Sequence, residues 1–235
     1  MKAFILAAGL GTRLRPLTLK KPKPLIEIND RPIIDYVLEW LVNQGIQEVI
    51  INLHYMPDMI KKYLGRGGEF GLKITYSYEK NILGTAGALK KKEKELKETF
   101  LVTCCDFLTN VDIKKAIIFH KNKKALATMI LKKVKRPERY GTIGLDDQGR
   151  VCQFLNRHKS KEPTIKAVHT GIAILEPEVL KYIPFNKLYG LGKVYLQMLK
   201  RGDPPFGYLT EELWHEVGSL KTLEEASKIT SKGLF

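Results

Sequence analysis

Two patterns of hydrophobic and polar residues alternate over the first 120 residues. Short apolar runs, typical of strands buried on both faces of a parallel sheet, occur at residues 3–8, 48–53, 72–78 and 100–104. Between them lie segments whose apolar residues recur at helical spacing, beginning at Pro32 and Pro57, continuing in a Lys/Glu-rich stretch to about Leu96, and covering residues 112–120. This alternation predicts a doubly wound α/β sheet up to residue 120.

The pattern changes beyond residue 120. Strand-like runs at residues 127–133, 141–145, 151–155 and 169–175 are joined by turn sequences such as the one at 146–149. Helical spacing returns at residues 179–183, 191–200 and 220–229. With no internal repeat and no low-complexity linker, the sequence predicts one α/β domain whose second part is rich in hairpins.

Composition agrees with a packed globular chain. The 235 residues are 44% hydrophobic and 28% charged, which excludes wholesale disorder. Forty Lys and Arg against 25 Asp and Glu give a net charge of +15, a field that attracts polyanions or small phosphorylated ligands. The sign of the charge does not choose between these two kinds of partner.

Three features favour the cytoplasm. No apolar run approaches the ~20 residues that a membrane-spanning helix needs, and the N-terminus lacks the regions of a signal peptide. The three cysteines, Cys104, Cys105 and Cys152, are odd in number and lack the C-x-x-C spacing of a structural zinc site. Reduced thiols in a reducing compartment fit this pattern best.

The segment after the first strand carries the strongest chemical signal. It runs from Gly9 through Thr18 and continues to Lys23 and Pro24. Glycines let backbone N–H groups approach a ligand closely, and the carboxyl end of the first strand is a common ligand site in open α/β sheets. Arg13 and Lys23 add positive charge, so the segment predicts phosphate binding.

Two common nucleotide motifs do not match this segment. The dinucleotide fingerprint requires a third glycine where Leu14 stands, and a P-loop requires Gly-Lys-Ser/Thr. The alternative of an ordinary glycine turn with a solvated basic loop is disfavoured by the number of special residues that coincide here.

The motif G-x-G-T-R-L-x-P-x-T followed by K-P resembles the signature of the sugar-1-phosphate nucleotidyltransferases, also called nucleotide-sugar pyrophosphorylases. Further matches are Gly84-Thr85-Ala86-Gly87, Asp106 after a strand, Thr170-Gly171-Ile172 and the ending Trp214 to Gly218. The resemblance implies a Rossmann-like three-layer doubly wound mixed sheet of the nucleotide-diphospho-sugar transferase type. It also implies a single domain over residues 1–235, with a nucleotide-binding half at 1–120 and a sugar-binding half at 121–235.

The family's reaction joins a nucleoside triphosphate to a sugar 1-phosphate and releases pyrophosphate. By the resemblance, Arg13, Lys23 and Asp106 are the catalytic residues: Arg13 holds the β- and γ-phosphates and Lys23 contacts the α-phosphate. Asp106 is in the place of the family's Mg²⁺-binding aspartate. Glu216 stands where the family has a second metal-binding aspartate and is one methylene longer, so its metal role is left open.

The resemblance also implies the contacts to the nucleotide. The nucleotide-binding positions are Ala8, Gly9, Gly11, Thr12, Arg13, Lys23, Glu79, Gly84 and Thr85. Glu79 stands where the family contacts the edge of the base, and a carboxylate accepts from two adjacent donors such as those of guanine. This favours GTP slightly and leaves UTP and dTTP open.

Departures from the family concentrate on the sugar side. The implied sugar-binding residues are Asn156, Arg157, His169 and Gly171. The first three replace the family's glutamate, lysine and asparagine, and Cys105 replaces the glycine before the metal-binding aspartate. His169 is equally well explained as a sugar contact or as a core histidine, and the sugar stays undetermined.

Three other functions remain open at this level. The charge and the lysine runs are compatible with a nucleic-acid-binding protein, although the Lys/Glu spacing in the first run is that of a solvated helix face. A sugar-nucleotide-binding protein without turnover, or a cytidylyltransferase acting on a non-sugar phosphate, also fits the opening motif. We expect small-molecule substrates rather than nucleic acid or membrane, and assembly into a homo-oligomer is left open.

Overall fold

The computed structural model describes residues 1–135, 141–155 and 158–233. Its strands are, in chain order, β1 (Lys2–Leu6), β2 (Glu27–Ile28), β3 (Arg31–Pro32), β4 (Glu48–Leu53), β5 (Lys73–Tyr78), β6 (Phe100–Cys104), β7 (Phe107–Thr109), β8 (Ala127–Lys132), β9 (Thr142–Leu145), β10 (Val151–Phe154), β11 (His158–Lys159), β12 (Ile165–Leu175), β13 (Phe206–Thr210) and β14 (Trp214–Glu216). The helices are α1 (Ile33–Asn43), α2 (Pro57–Leu64), α3 (Gly84–Lys91), α4 (Ile113–Asn122), α5 (Leu191–Lys200) and α6 (Leu220–Thr230).

The chain forms two compact units, and each is built from separate stretches of sequence. The first unit contains residues 1–82, 103–111 and the segment from 212 onward, and the second contains residues 83–102 and 112–211. The predicted nucleotide-binding and sugar-binding halves are defined by the ligand that each would bind and not by how the chain packs. Their division at residue 120 therefore stays a prediction.

The first unit contains three parallel strands in the order β1, β4, β5. Leu6 at the end of β1 lies beside Asn52 of β4, and Leu53 lies beside Tyr78 at the end of β5. Because the strands are parallel, their carboxyl ends meet at one edge. The predicted strands at residues 3–8, 48–53 and 72–78 are therefore confirmed within two residues.

The second unit contains the hairpin-rich part of the chain. Its strands follow the order β11, β10, β9, β12, β8, β13, and every neighbouring pair is antiparallel except β8 and β13. The turn predicted at residues 146–149 is closed by a bond from Gly149 N to Asp146 O of 3.0 Å. Asp112 caps α4 through its side chain, which accepts from Lys115 N at 3.2 Å.

Some elements differ from the sequence prediction. The Lys/Glu-rich helix ends at Lys91 and is followed by one 3₁₀ turn, Glu93–Glu95, instead of continuing to Leu96. The strands β7, β13 and β14 were not predicted. They are defined by pairing with segments distant in sequence, β14 with β7 and β13 with β8.

A buried cluster joins the C-terminal helix to the rest of the first unit. Its members come from the segment around β2, from α1, from β7 and β14 and from α6: Ile26, Ile28, Ile33, Tyr36, Leu108, Val217 and Ala226. The Tyr36 hydroxyl donates to Ile28 O at 3.1 Å, so this polar group is satisfied within the cluster. The cluster fixes α6 and the segment that precedes it.

None of the helices in the described ranges is long and apolar enough to cross a bilayer.

The start of α6 depends on one hydroxyl group. Thr222 Oγ1 accepts from Gly218 N at 2.9 Å and from Ser219 N at 3.0 Å, and Ser219 Oγ accepts from Thr222 N. We predict that Thr222→Val, which keeps the shape and removes the oxygen, lowers the free energy of unfolding by about 1 kcal/mol. Urea unfolding measures the change.

Thr222→Ser is the matched control, because it keeps the hydroxyl oxygen, and it should lie close to the wild type. Equal stability of the valine variant and the wild type would contradict the role of this hydroxyl.

Candidate active site

A cavity of about 200 Å³ lies in the first unit, at the carboxyl end of β1. Its walls come from three stretches of sequence that the fold brings together: Leu6, Ala7, Gly9, Gly11, Thr12, Arg13, Leu14, Lys23, Pro24, Cys104, Cys105, Asp106 and Gly218. The predicted phosphate-binding segment therefore forms a concave surface, with the predicted catalytic residues Arg13, Lys23 and Asp106 in its wall.

The loop after β1 turns sharply at Gly11. Gly11 has φ of +62°, and a Cβ atom at this position would lie 2.8 Å from Thr18 Cγ2. The buried Thr18 returns the contact, because its hydroxyl donates to Gly11 O at 2.9 Å. Tyr55 in turn donates to Thr18 O at 2.9 Å. The glycine and the threonine of the motif thus contact each other directly and stabilise the same turn.

Lys23 and Asp106 form the inner ion pair of the cavity. Lys23 begins a short 3₁₀ turn, and Asp106 follows β6 after one intervening residue. Lys23 Nζ lies 2.5 Å from Asp106 Oδ2, and the two side chains are 13% and 23% exposed. The partial burial strengthens the attraction between the two charges.

Arg13 and Glu216 form the outer ion pair. Antiparallel pairing of β14 with β7 places Glu216 opposite Phe107, and Val217 N donates to Asp106 O at 2.8 Å. This pairing brings the two predicted metal-binding carboxylates, which are 110 positions apart in sequence, to neighbouring positions. Glu216 Oε1 lies 2.9 Å from Arg13 Nη2.

Gly218 leaves the space that this outer pair occupies. A Cβ atom at residue 218 would lie 2.6 Å from Glu216 Oε1 and 3.0 Å from both terminal nitrogens of Arg13. Contacts this short require the ion pair to move. At Gly218 the limit on a larger residue thus comes from charged side-chain ends that can shift, and not from its own φ.

The two carboxylates fit a magnesium ion that also binds phosphate. Among the described residues, no group of three or more His, Cys, Asp or Glu side chains could hold a metal ion. Mg²⁺, however, is commonly bound by one or two carboxylates together with phosphate oxygens and water. Asp106 and Glu216 would supply the protein part of such a ligand set, and their binding of magnesium stays a prediction.

The two cysteines beside Asp106 are packing residues in a neutral state. Cys105 is 5% exposed, and burial together with the Asp106 carboxylate raises the pKa of its thiol to about 12. Burial likewise raises the pKa of the Cys104 thiol well above its ordinary value. A thiol that stays protonated is a poor nucleophile, so neither cysteine has the character of a catalytic thiolate.

The predicted nucleotide-binding residues of the first unit occupy different places. Five of them lie in the cavity wall: Gly9, Gly11, Thr12, Arg13 and Lys23. Ala8 is buried and not among the lining residues, whereas Leu6, Ala7 and Cys104 line the cavity and were not predicted. The sequence marked the glycines and charges, but apolar wall residues carry no such signal.

Glu79 lies beneath this edge of the sheet. The residue is 1% exposed, and its Oε1 accepts a hydrogen bond from Asn52 Nδ2 at 2.8 Å. Its predicted contact with the base edge stays a prediction. Asn52 was missed by the sequence analysis, although a signal existed: it is the one amide in the apolar run of β4.

Gly84 and Thr85 begin α3 in the second unit. Two of the four N–H groups in its first turn are already used, because Ala86 N and Gly87 N donate to Tyr189 O at 2.9 and 3.0 Å. Thr85 Oγ1 accepts from Leu191 N at 2.8 Å. The small residues of this loop thus allow a close approach of segment 189–191, and their contact with a nucleobase stays a prediction.

The predicted sugar-binding residues lie in the second unit or outside the described residues. Asn156 and Arg157 fall outside the described residues. His169 and Gly171 lie on β12 at an irregularity in its pairing with β8. His169 Nε2 is buried without a hydrogen-bond partner in the described part of the chain, and burial lowers the pKa of the imidazole to about 4.

The sequence of the chain is similar to those of known proteins. Residues 2–233 match the sequence profile of the family described as Nucleotidyl transferase. The chain therefore belongs to the nucleotidyl transferase family.

Two curated relatives are similar to most of this chain. The chain is 36% identical to the UTP–glucose-1-phosphate uridylyltransferase of Synechocystis sp., over 94% of this chain and 61% of that protein. It is 35% identical to the mannose-1-phosphate guanyltransferase of Saccharomyces cerevisiae, over 94% of this chain and 62% of that protein. The chain thus spans less than two thirds of the length of either relative.

A solved structure shows the same fold over nearly the whole chain. HddC from Yersinia pseudotuberculosis superimposes with a TM-score of 0.82 at 26% identity, covering 97% of this chain and 99% of that one. The predicted α/β class with a mixed sheet of the nucleotide-diphospho-sugar transferase type is confirmed.

The buried imidazole gives a prediction about pH. Because the folded pKa of His169 is about 4, below its ordinary value of 6.5, protons bind the unfolded chain more tightly. The contribution of His169 to stability is therefore complete above about pH 6.5 and is lost as pH falls toward about 4, by ~3 kcal/mol at most.

His169→Asn removes the titrating group. We predict that the free energy of unfolding of this variant, measured with urea at a series of pH values, falls less than that of the wild type between about pH 6.5 and 4. Parallel curves for the two proteins would contradict the assignment.

Proposed function

We propose that this protein transfers a nucleotidyl group from a nucleoside triphosphate to a sugar 1-phosphate, with Mg²⁺, and releases pyrophosphate. The observation that carries the proposal is the cavity after β1, where Arg13 and Lys23 face a glycine-rich turn beside the carboxylates of Asp106 and Glu216. The family membership and the names of the relatives support the same reaction class.

The chemistry needs charge and position rather than a strong base. The attacking phosphate of a sugar 1-phosphate has a second pKa near ~6, so it is largely a dianion at neutral pH. Binding must then hold this oxygen in line with the α-phosphorus and neutralise the charge on the departing pyrophosphate. A cavity with two cations and no histidine in its described wall suits this task.

Each cation has a role that fits its shape. The Arg13 guanidinium, whose side chain is 68% exposed, offers a planar fork for the β- and γ-phosphates and the leaving pyrophosphate. Lys23 is a point charge deeper in the cavity, where it would contact the α-phosphate. Both interactions strengthen as negative charge builds up, and they therefore act on turnover more than on binding.

Asp106 and Glu216 would hold the magnesium ion together with phosphate oxygens. When bound, Mg²⁺ neutralises phosphate charge and polarises the phosphorus centre. In this arrangement each carboxylate would turn from its lysine or arginine partner toward the ion, and each cation would become available to phosphate.

We further propose that GTP is preferred over UTP and dTTP. The support is the guanyltransferase named in Saccharomyces cerevisiae. The resemblance also implies a base contact for Glu79, but its buried Oε1 already accepts from Asn52, so the preference is not rested on this residue. The Synechocystis relative is named for UTP, so the rates with GTP and UTP are to be compared directly. The sugar-binding half would lie in the second part of the chain, with Asn156, Arg157, His169 and Gly171 near the sugar phosphate.

We propose the cytoplasm as the compartment in which the protein works. All three cysteines are free, and two of them are buried, as expected for a chain that works in a reducing compartment.

A pyrophosphate-release screen tests the proposal. The purified protein is incubated with Mg²⁺, each of the common nucleoside triphosphates, and a panel that includes glucose 1-phosphate, mannose 1-phosphate and phosphocholine. We expect release only when a triphosphate and a sugar 1-phosphate are both present, fastest with GTP, and none after chelation of the metal. Release with CTP and phosphocholine would favour a cytidylyltransferase, and binding without release would favour a non-catalytic protein.

Substitution of Arg13 gives a second test. We predict that Arg13→Ala lowers kcat by roughly 100-fold or more and raises the KM for the nucleotide much less, because the charge it meets grows in the transition state. Arg13→Lys should recover only part of the loss, since an ammonium group lacks the planar fork. Steady-state pyrophosphate release measures both.

Arg15→Ala is the matched control. Arg15 is an exposed arginine two positions along the same loop, and it is not among the residues that line the cavity. It should keep the activity of the wild type, and an Arg13→Ala enzyme with unchanged kcat would contradict the assigned role.

A further inference from the structure

A chain of buried polar groups joins the ends of the three parallel strands of the first unit. Ala7 N donates to Asn52 Oδ1 at 2.7 Å, and Asn52 Nδ2 donates to Glu79 Oε1 at 2.8 Å. His54 Nδ1 lies 2.8 Å from Glu79 O. Ala7, Asn52 and Glu79 are 3%, 3% and 1% exposed, so water does not compete for these bonds.

Only a correctly oriented amide satisfies both neighbours of residue 52. A backbone N–H is solely a donor, and a carboxylate at neutral pH is solely an acceptor. The asparagine must therefore turn its oxygen toward Ala7 and its NH₂ group toward Glu79. A leucine would leave both neighbours unpaired, and an aspartate would place an oxygen against the carboxylate.

The chain of bonds ends at the wall of the cavity. Leu6 is the last residue of β1 that pairs with β4, where it lies beside Asn52. At the next residue, the Ala7 N–H donates to the side chain of Asn52 instead of to a backbone oxygen of β4. Leu6 and Ala7 both line the cavity, and Ala7 lies two residues before Gly9. The bond thus fixes the direction in which the chain leaves the sheet and begins the phosphate-binding loop.

We propose that Asn52 is a positioning residue for the nucleotide and that Glu79 acts through it, by fixing the orientation of the Asn52 amide. The inference rests on the proposed function and adds a residue that the family resemblance did not mark. It also gives Glu79 a task other than contact with the base: its Oε1 is used inside the protein, beneath the loop.

Exchange of the two functional groups tests the proposal. Asn52→Asp places two carboxylates side by side, and Glu79→Gln replaces the acceptor by an amide. In the double variant Asn52→Asp/Glu79→Gln, the aspartate accepts from Ala7 N and from the glutamine NH₂ group. This protein has the net charge of the wild type and keeps both bonds of residue 52, with the amide and the carboxylate exchanged.

The four proteins are compared by the KM for GTP, the KM for the sugar 1-phosphate, kcat and the GTP/UTP preference. All measurements are made well below the lowest melting temperature of the set, so that each protein is fully folded. We expect Asn52→Asp to lose ~10-fold or more in kcat/KM for GTP, the size of one hydrogen bond to a charged group. Glu79→Gln, which keeps an acceptor for Asn52, should lose less.

The double variant should return to within about 3-fold of the wild type, because its bonds are restored. The KM for the sugar 1-phosphate should stay unchanged in all four proteins, which a general loosening of the structure would not produce. The GTP/UTP preference should also stay unchanged in Glu79→Gln.

Two results would overturn the inference while the proposed function stands. One is a double variant as impaired as Asn52→Asp. The other is a loss of the GTP/UTP preference that is equal in Glu79→Gln and in the double variant, which would show that Glu79 contacts the base directly. A wild type that releases no pyrophosphate with any substrate pair would instead overturn the proposed function and this inference together.

Discussion

Two opposite-charge pairs at the carboxyl end of β1 are the constraint on which the candidate site depends. Lys23 with Asp106 and Arg13 with Glu216 place two cations and two carboxylates around one small cavity. Lys23 and Asp106 are 13% and 23% exposed, and burial of this degree makes an unpaired charge costly. A bound triphosphate and its magnesium ion would offer each group a new partner of the opposite sign.

These pairs are held in place by short elements and turns around the cavity. The short pairing of β7 with β14 brings Asp106 and Glu216 together, and Gly218 leaves room for the outer pair. Thr222, at the start of α6, accepts from the N–H groups of Gly218 and Ser219. The buried cluster beneath α6 fixes this whole segment, so a helix near the end of the chain contributes to the shape of a loop near its beginning.

The second group of supporting contacts lies below the cavity. The amide of Asn52 links the end of β1 to Glu79 at the end of β5, and the hydroxyl of Thr18 supports the turn at Gly11. Both use side chains to satisfy backbone groups at a place where the strands stop pairing. The loop that meets the ligand is thereby fixed by buried hydrogen bonds, although its surface is open to solvent.

Much of this could be read from local sequence. The apolar runs at residues 48–53 and 100–104 predicted β4 and β6 to the residue, and the glycine- and proline-rich motif after β1 predicted a phosphate site that includes Arg13 and Lys23. Such features depend on neighbours within a few positions, where periodicity and turn chemistry act directly. The net charge and the cysteine content limited only the general kind of ligand and the compartment.

The partners of these residues were decided by the tertiary structure. The sequence alone did not show that Glu216 pairs with Arg13, that Asp106 pairs with Lys23, or that Asn52 turns its amide between Ala7 and Glu79. Each of these bonds joins residues between 27 and 203 positions apart. Strand pairing and burial choose such partners, and a pattern with a period of two to four residues contains no information about them.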